Sequence, residues 1–347
     1  MTEVKKLSIR RFKSYSSKEW AEILLDFDAT VNYTSWFIDY IEILNEANDI
    51  KNYTFVLYQN NNPIVIVPLY VEKIEESWQI SMGQEPIYAP IFCNNCKIVD
   101  TSRYYELLLD QINNIAEKYK CVLARFHHSP LLHSKSSIHY FTKFGYVEDI
   151  LYPDWYIFKS KFSYVINLNN TQEFLFKKIR KGHKSNINQS QRHLELVILD
   201  KDSFSQELFN RYVNLYYQVK GEKRSSKAFK LDSMAVKTGF QTIMLCEYKN
   251  ELVGAIALHT FNSKARYNSS VQLHNISKGI YPTHYLLWSA ILYLRDREFD
   301  LFEIGEQVVE SELYEVTEKE KNLSHFKAGW GGELIPWIKM QKDFINV

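Results

Sequence analysis

At 347 residues, with 46% hydrophobic and 24% charged side chains, the chain has the balance of a folded protein with apolar material for two cores at roughly 150 residues each. Lys and Arg number 42 against 41 Asp and Glu, a net charge of +1, which excludes a disordered polyelectrolyte and any global field for DNA or an anionic membrane. Four cysteines exclude a disulfide framework, and no apolar run reaches the ~18 residues of a membrane span, so the expectation is a cytoplasmic protein with no transmembrane segment.

The chain opens on a charged, strand-like segment that lacks the apolar stretch of a signal peptide. Amphipathic segments 18–27 and 34–47 predict helices, the second beginning at Ser35-Trp36. Residues 53–58 and 63–70 are β-rich runs joined by Gln59-Asn-Asn-Asn62, a hairpin signal. Residues 83–90 read as a loop. Leu107, Leu108, Ile112, Ile115 and Ala116 give 104–119 a helical period, and 121–126 follows as a short buried strand. The second half repeats this grammar: a strand at 163–168, a helix opened by Asn170 as N-cap with Glu173 as its N3 partner, and a hairpin of 241–248 and 252–258 about Lys249-Asn250. A polar stretch at 266–272, a helix at 282–297, a strand at 299–304 and a last strand at 333–340 complete it. The fold class is therefore α/β with mixed (α+β) sheets, as a duplicated module whose boundary falls at 152–161, where Pro153-Asp154 interrupts the pattern. The expected domains are 1–158 and 159–347, with the last strand able to pack back on the first.

The densest polar feature is Lys177-Lys-Ile-Arg-Lys-Gly-His-Lys-Ser-Asn186, extending to Arg192 with six basic residues and no acid before Glu195. On one helix Lys177, Arg180, Lys184 and Asn188 share a stripe, which can hold a phosphate or carboxylate or can equally be a solvated face. A second basic cluster, at 220–230, includes Lys223, Arg224 and Lys227. Near the end, Phe326-Lys-Ala-Gly-Trp-Gly-Gly-Glu333 places three of the 11 glycines within four positions; a tight turn accounts for the glycines but not for Lys327. Glu303 and Glu306 flank Gly305 at a strand end, where a general base for an attacking amine would fit. Cys93-Asn-Asn-Cys96 lacks a second pair, and His127-His128 marks a loop start, so no metal is expected. The absence of GxSxG, GxxxxGK[ST], HExxH and GxGxxG argues against serine hydrolases, P-loop NTPases, zincins and Rossmann enzymes.

Taken together, Thr34-Ser-Trp36 before a helix, the strand 63–69 ending in Val-Pro-Leu, the loop 83–90, the basic segment 178–192, and the run from 281–294 through 299–305 to Phe326-Lys-Ala-Gly-Trp-Gly-Gly332 resemble the FemAB/FemX-like branch of the GNAT acyltransferases, with its BioF2-like acetyltransferase relatives. The resemblance covers nearly the whole chain. It implies tandem GNAT-like domains, the active cleft on the second, and acyl transfer to an amine without a covalent enzyme intermediate. It implies Arg180 as a contact to an anionic substrate group and Lys327 as the group facing the acyl carbonyl or carrier phosphate; with Glu306 at the strand end as the second catalytic expectation, and Lys177, Lys184 and Arg224 of the basic clusters as further substrate contacts, these complete the expected site. Where a coenzyme A enzyme carries Q/RxxGxG/A, this chain reads Asn275-Ile-Ser-Lys-Gly-Ile-Tyr-Pro282. Of that loop Gly279 survives, leaving Lys278 and Gly279 as the cofactor-binding expectation and a pantetheine laid along strands that splay after Leu245 and Leu258. The favoured function is transfer of an acetyl or other acyl group from acetyl-CoA or another acyl-CoA to a small amine of a cell-surface glycan precursor, such as an amino sugar. The alternatives are an aminoacyl-tRNA-dependent peptidoglycan bridge transferase, disfavoured by the absence of a long helical arm, and a non-catalytic binding module.

Overall fold

Capping and turn chemistry set most element boundaries. The computed structural model describes residues 7–95, 98–132, 156–273, 276–308 and 316–344, which fall into two units, one ending at Ser160 and resuming at Trp337, the other running Lys161–Pro336. In the first unit Ser16 caps α1 (Ser17–Leu24) by accepting from the Glu19 amide while the Glu19 carboxylate accepts from the Ser16 amide. Thr34 caps α2 (Ser35–Leu44) through the Phe37 amide. β1 (Leu7–Arg11), β3 (Phe55–Gln59), β4 (Asn62–Val67) and β8 (Ile91–Phe92) form an antiparallel sheet. Its central hairpin turns on Asn60 and Asn61, both at positive φ as a two-residue turn demands.

The other sheet of this unit orders β2 (Lys51–Asn52), β5 (Tyr70–Ile74), β6 (Ser77–Ile80), β9 (Leu123–His127) and residues 339–343 of β16 (Glu333–Asp343). β6 and β9 are parallel, with the crossover between them containing α3 (Ile98–Tyr119), and they share two register pairs, Gln79–Leu123 and Ile80–Ala124. Beyond these, β7 (Ile87–Tyr88) takes the place of β6 alongside β9. The buried Glu72 carboxylate pins the intervening loop: it accepts from the Ser81 hydroxyl, from the Gly83 and Gln84 amides at 2.9 and 2.8 Å, and from the Asn48 side-chain amide at 3.3 Å. The opening between the parting strands is thus filled by the chain itself.

The second unit contains a sheet of order β11 (Glu195–Leu199), β12 (Gln241–Tyr248), β13 (Glu251–Phe261), β14 (Lys264–Gln272), β15 (Leu301–Gln307) and β10 (Tyr156–Asn167). Lys249 and Asn250 at positive φ turn β12 into β13. One face packs on α4 (Gln172–Lys178), α5 (Lys181–Ser190) and α8 (Pro282–Asp296) through Leu175, Ile179, Ile187, Leu286 and Ile291; the other packs on α6 (Gln206–Lys220) and α7 (Ser226–Thr238) through Phe209, Tyr212, Leu215, Phe229 and Val236. α9 (Glu318–Ala328) is held at its start by a capping box between Thr317 and Glu320.

Four expectations are corrected. The basic segment is not one helix: Ile179 and Arg180 are extended (ψ 138° and 143°), because the Arg180 amide donates to the Gly329 carbonyl at 2.9 Å instead of continuing α4. The cap of α4 is Thr171, not Asn170, whose side chain donates to the Asn167 carbonyl. Residues 266–272 lie within a strand, β14. The strands after Leu245 and Leu258 do not splay, since β12 and β13 stay paired from Gln241–His259 to Tyr248–Glu251. Helices α6 and α7, which the pattern reading did not place, cover the second face.

Candidate active site in the second unit

The parting of strands occurs between β14 and β15. They are parallel and share three register pairs, Lys264–Leu301, Ala265–Phe302 and Arg266–Glu303; beyond these β14 remains with β13 as far as Gln272, and β15 with β10 as far as Gln307. α8 crosses from one to the other, and Pro282 at its first position suits a helix start where an N–H would be unused. A cavity of about 430 Å³ opens there, with polar groups from Ser270 and Gln272 of β14, Thr283 and His284 of α8, Lys327 of α9 and Lys220 of α6. Its apolar side comes from Val271, Leu323 and Phe326. Among the described residues its wall carries the cations Lys220 and Lys327 and no carboxylate, so its field favours an anionic or neutral ligand.

Lys327 reaches this wall from the last turn of α9. Its Nζ donates to the Glu306 carbonyl at 3.2 Å, and its methylene stem crosses Gly305. Gly305 sits at φ +117°, and a Cβ there would lie 3.0 Å from Nζ, so glycine is what admits the lysine to the strand end. The turn after α9 is equally constrained. At Gly331 (φ +78°) a Cβ would lie 2.6 Å from Lys178 Cβ, so this glycine lets the turn pass against the end of α4.

Beside Lys327 lies a histidine pair that the sequence reading missed. His284 Nε2 is 3.3 Å from His183 Nδ1, with the rings edge-to-face, and His183 Nε2 donates to the Phe326 carbonyl at 2.9 Å. Phe326 and Trp330 pack on both rings. Burial pushes His284 down to about 4, with His183 and Arg180 adding to the effect; His183 is lowered by burial against the opposing pull of its bond to Phe326. The two residues are 101 positions apart, and no motif spacing links them.

The other expected site residues are dispersed. Lys177 is exposed, and its carbonyl accepts from Lys184 Nζ at 3.0 Å, so Lys184 closes the end of α4. Arg180 meets His325 Nε2 through Nη1. Arg224 is mostly buried, paired with the buried Asp232 at 2.9 Å and stacked on Phe229, a structural tie between the loop before α7 and that helix. Lys278 is exposed on a turn closed by the Ile280 amide on the Ser277 carbonyl, and the positive φ of Gly279 serves that turn. Asn275 lies outside the described residues. The Tyr281 amide donates to Ser190 Oγ at 2.8 Å and Pro282 has no N–H, so these loop positions do not fit the amide cradle that a coenzyme A pyrophosphate takes in ordinary GNAT enzymes. The Glu306 backbone takes part through its carbonyl. Glu303 is buried on the α6/α7 face, accepting from Ser163 Oγ at 2.7 Å and paired with Arg266 at 3.5 Å. Cys93 is buried and Cys96 lies outside the described residues, among which no group of three or more His, Cys, Asp and Glu is placed to hold a metal. No described helix is long and apolar enough to cross a membrane.

The buried face near Glu303 carries a pH signature. His259, opposite Arg266 in register, is pushed down to about 3 by burial first and by Arg266 and Arg224 second, and in the first unit burial lowers His128 to about 4. Unfolded histidines bind a proton near pH 6.5 that these folded ones refuse. Stability is therefore full above that pH and falls as pH drops toward 4, by up to about 1.4 kcal/mol per pH unit for each histidine. Urea midpoints between pH 7.5 and 4.5 are expected to show this fall, and His259→Gln to flatten it; an unchanged slope in the variant would contradict the assignment.

The sequence matches no protein-family model and no curated protein. Its fold does match solved structures. FemX superposes with a TM-score of 0.69 over 95% of this chain and 96% of that one, at 10% identity. L-PGS from Bacillus licheniformis gives 0.58 over 95% and 92%, and a conserved Bacteroides thetaiotaomicron protein of unknown function 0.56 over 98% and 100%, each at 10% identity. The likeness is one of fold, mixed α/β, and in this chain that fold divides into two units.

Proposed function

We propose that the protein transfers an acyl group to an amine in the cavity where β14 and β15 part. The observation that supports this reading is the combination, at one strand end, of a parting parallel pair with a lysine ammonium anchored on a backbone carbonyl. The parting strands expose unpaired backbone that can hold an extended donor. As an amine nitrogen adds to the donor's carbonyl carbon, negative charge develops on the carbonyl oxygen, and a fixed ammonium stabilises it. The cations and missing carboxylates of the wall favour a donor or acceptor bearing phosphate or carboxylate, which suits an amino sugar linked to phosphate in cell-envelope glycan assembly.

The first donor is an acyl thioester, acetyl-CoA or a longer acyl-CoA, with its phosphates met by lysine side chains. The occupied loop amides favour a second reading, in which an aminoacyl ester on tRNA is the donor. Mass spectrometry of reactions containing amino-sugar nucleotides with acetyl-CoA, and separately of peptidoglycan precursors with aminoacyl-tRNA, decides between them. The expected result is an amide product from the thioester, with micromolar donor binding that weakens as salt rises. Product from charged tRNA alone reverses the order of the two donors, and product from neither overturns the function.

A further inference from the structure

Resting on that reading, we infer that His284 is the general base that takes the amine's proton, with His183 as the positioning residue that fixes its tautomer. The Phe326 carbonyl oxygen can only accept, so His183 Nε2, 2.9 Å away, carries a hydrogen and His183 Nδ1 is a bare acceptor. That acceptor lies 3.3 Å from His284 Nε2, which therefore donates, leaving the lone pair on His284 Nδ1. Asn186 Nδ2 stands 3.3 Å from the same Nε2; with the amide flipped, its oxygen takes that position and accepts from Nε2 as well. Edge contacts to His183 and Phe326 hold the ring in place, and the side chain lines the same cavity wall as Lys327.

The surroundings keep this base unprotonated before substrate arrives. His284 occupies the first turn of α8, whose positive end opposes an imidazolium. Among the described residues the titratable groups around it are His183 and Arg180 at α5, His325 and Lys327 on α9, Lys220 on α6, Tyr267 on β14 and Tyr281 ahead of α8, and none of these is a carboxylate. An anionic substrate in the cavity offsets this cationic set and strengthens the base at the moment it is needed.

The step balances. The amine nitrogen forms a C–N bond to the acyl carbon, and the N–H proton of the tetrahedral adduct passes to His284 Nδ1. The carbonyl re-forms as the bond to the leaving sulfur or oxygen breaks, its electron pair leaving with that atom. The leaving atom then takes the proton from His284. One amide and one thiol or alcohol result, and the imidazole is restored.

His284→Gln is expected to lower kcat about 10²–10⁴-fold with KM changed little and melting unaltered. His183→Gln keeps an N–H for the Phe326 carbonyl but offers His284 no ring acceptor. It is expected to lower kcat about tenfold and to move the acid limb of the pH profile, which loss of packing alone does not do. A readout without turnover is two-bond ¹H–¹⁵N NMR of the imidazoles at pH 7.5, where both rings are expected as Nε2–H tautomers. If the wild type forms amide and His284→Gln stays within threefold of its kcat, or if His284 is the Nδ1–H tautomer, the inference is overturned while acyl transfer stands. If the wild type forms no amide from either donor, both fall together. Should His284→Gln not fold, His284→Asn and the tautomer measurement carry the test.

Discussion

Lys327→Met is expected to reduce the rate of acyl transfer about 10²–10³-fold, or roughly 2.7–4 kcal/mol of transition-state stabilisation. Methionine keeps most of the stem that crosses Gly305 and removes the ammonium that rests on the Glu306 carbonyl. The fall is expected in kcat and kcat/KM together, because charge on the acyl oxygen appears only as the tetrahedral adduct forms. Lys327→Arg tests placement: the planar guanidinium retains charge but does not set a compact ammonium on the Glu306 carbonyl, so it is expected to recover little. A Lys327→Met enzyme within threefold of wild type would remove Lys327 from the chemistry, and a rise in KM alone would reassign it to binding.

Glu72→Ala is expected to destabilise the first unit by about 3–5 kcal/mol. It strips a buried acceptor from the Ser81 hydroxyl, two backbone amides and the Asn48 side chain, and rewetting of the loop keeps the loss below the sum of separate penalties. Gly83 (φ +63°) and Gln84 (φ +67°) are in the left-handed region, so without the carboxylate the loop has little reason to keep that shape. The urea midpoint should drop, and amide exchange at Gly83 and Gln84 should accelerate. A loss below 1 kcal/mol would show that the loop is held by other means. β7 occupies the space beside β9 where β6 departs, whereas among the described residues no strand fills the corresponding space between β14 and β15.

Both hairpins and the start of α8 were legible in the sequence because their causes are local. Asn60-Asn61 and Lys249-Asn250 accept positive φ, and Pro282 is preset for a first helical turn. The lysine of the glycine-rich segment was legible too, since a turn needs glycine and has no use for Lys327. The break at Ile179–Arg180 was not, because its cause is the Gly329 carbonyl far along the chain. Nor was the occupation of Arg224: a basic cluster looks alike whether it faces solvent or, as here, closes on a buried Asp232.

By itself, then, the sequence determined much of the alternation of elements and the pairing of neighbouring strands, interactions spanning a few residues or one turn. The tertiary structure alone decided where the parallel strands part, that the first unit plugs its own opening, and that His183 meets His284. Those outcomes depend on contacts between segments tens to hundreds of residues apart. Their geometry follows from how helices pack on a twisted sheet, and no local periodicity encodes it.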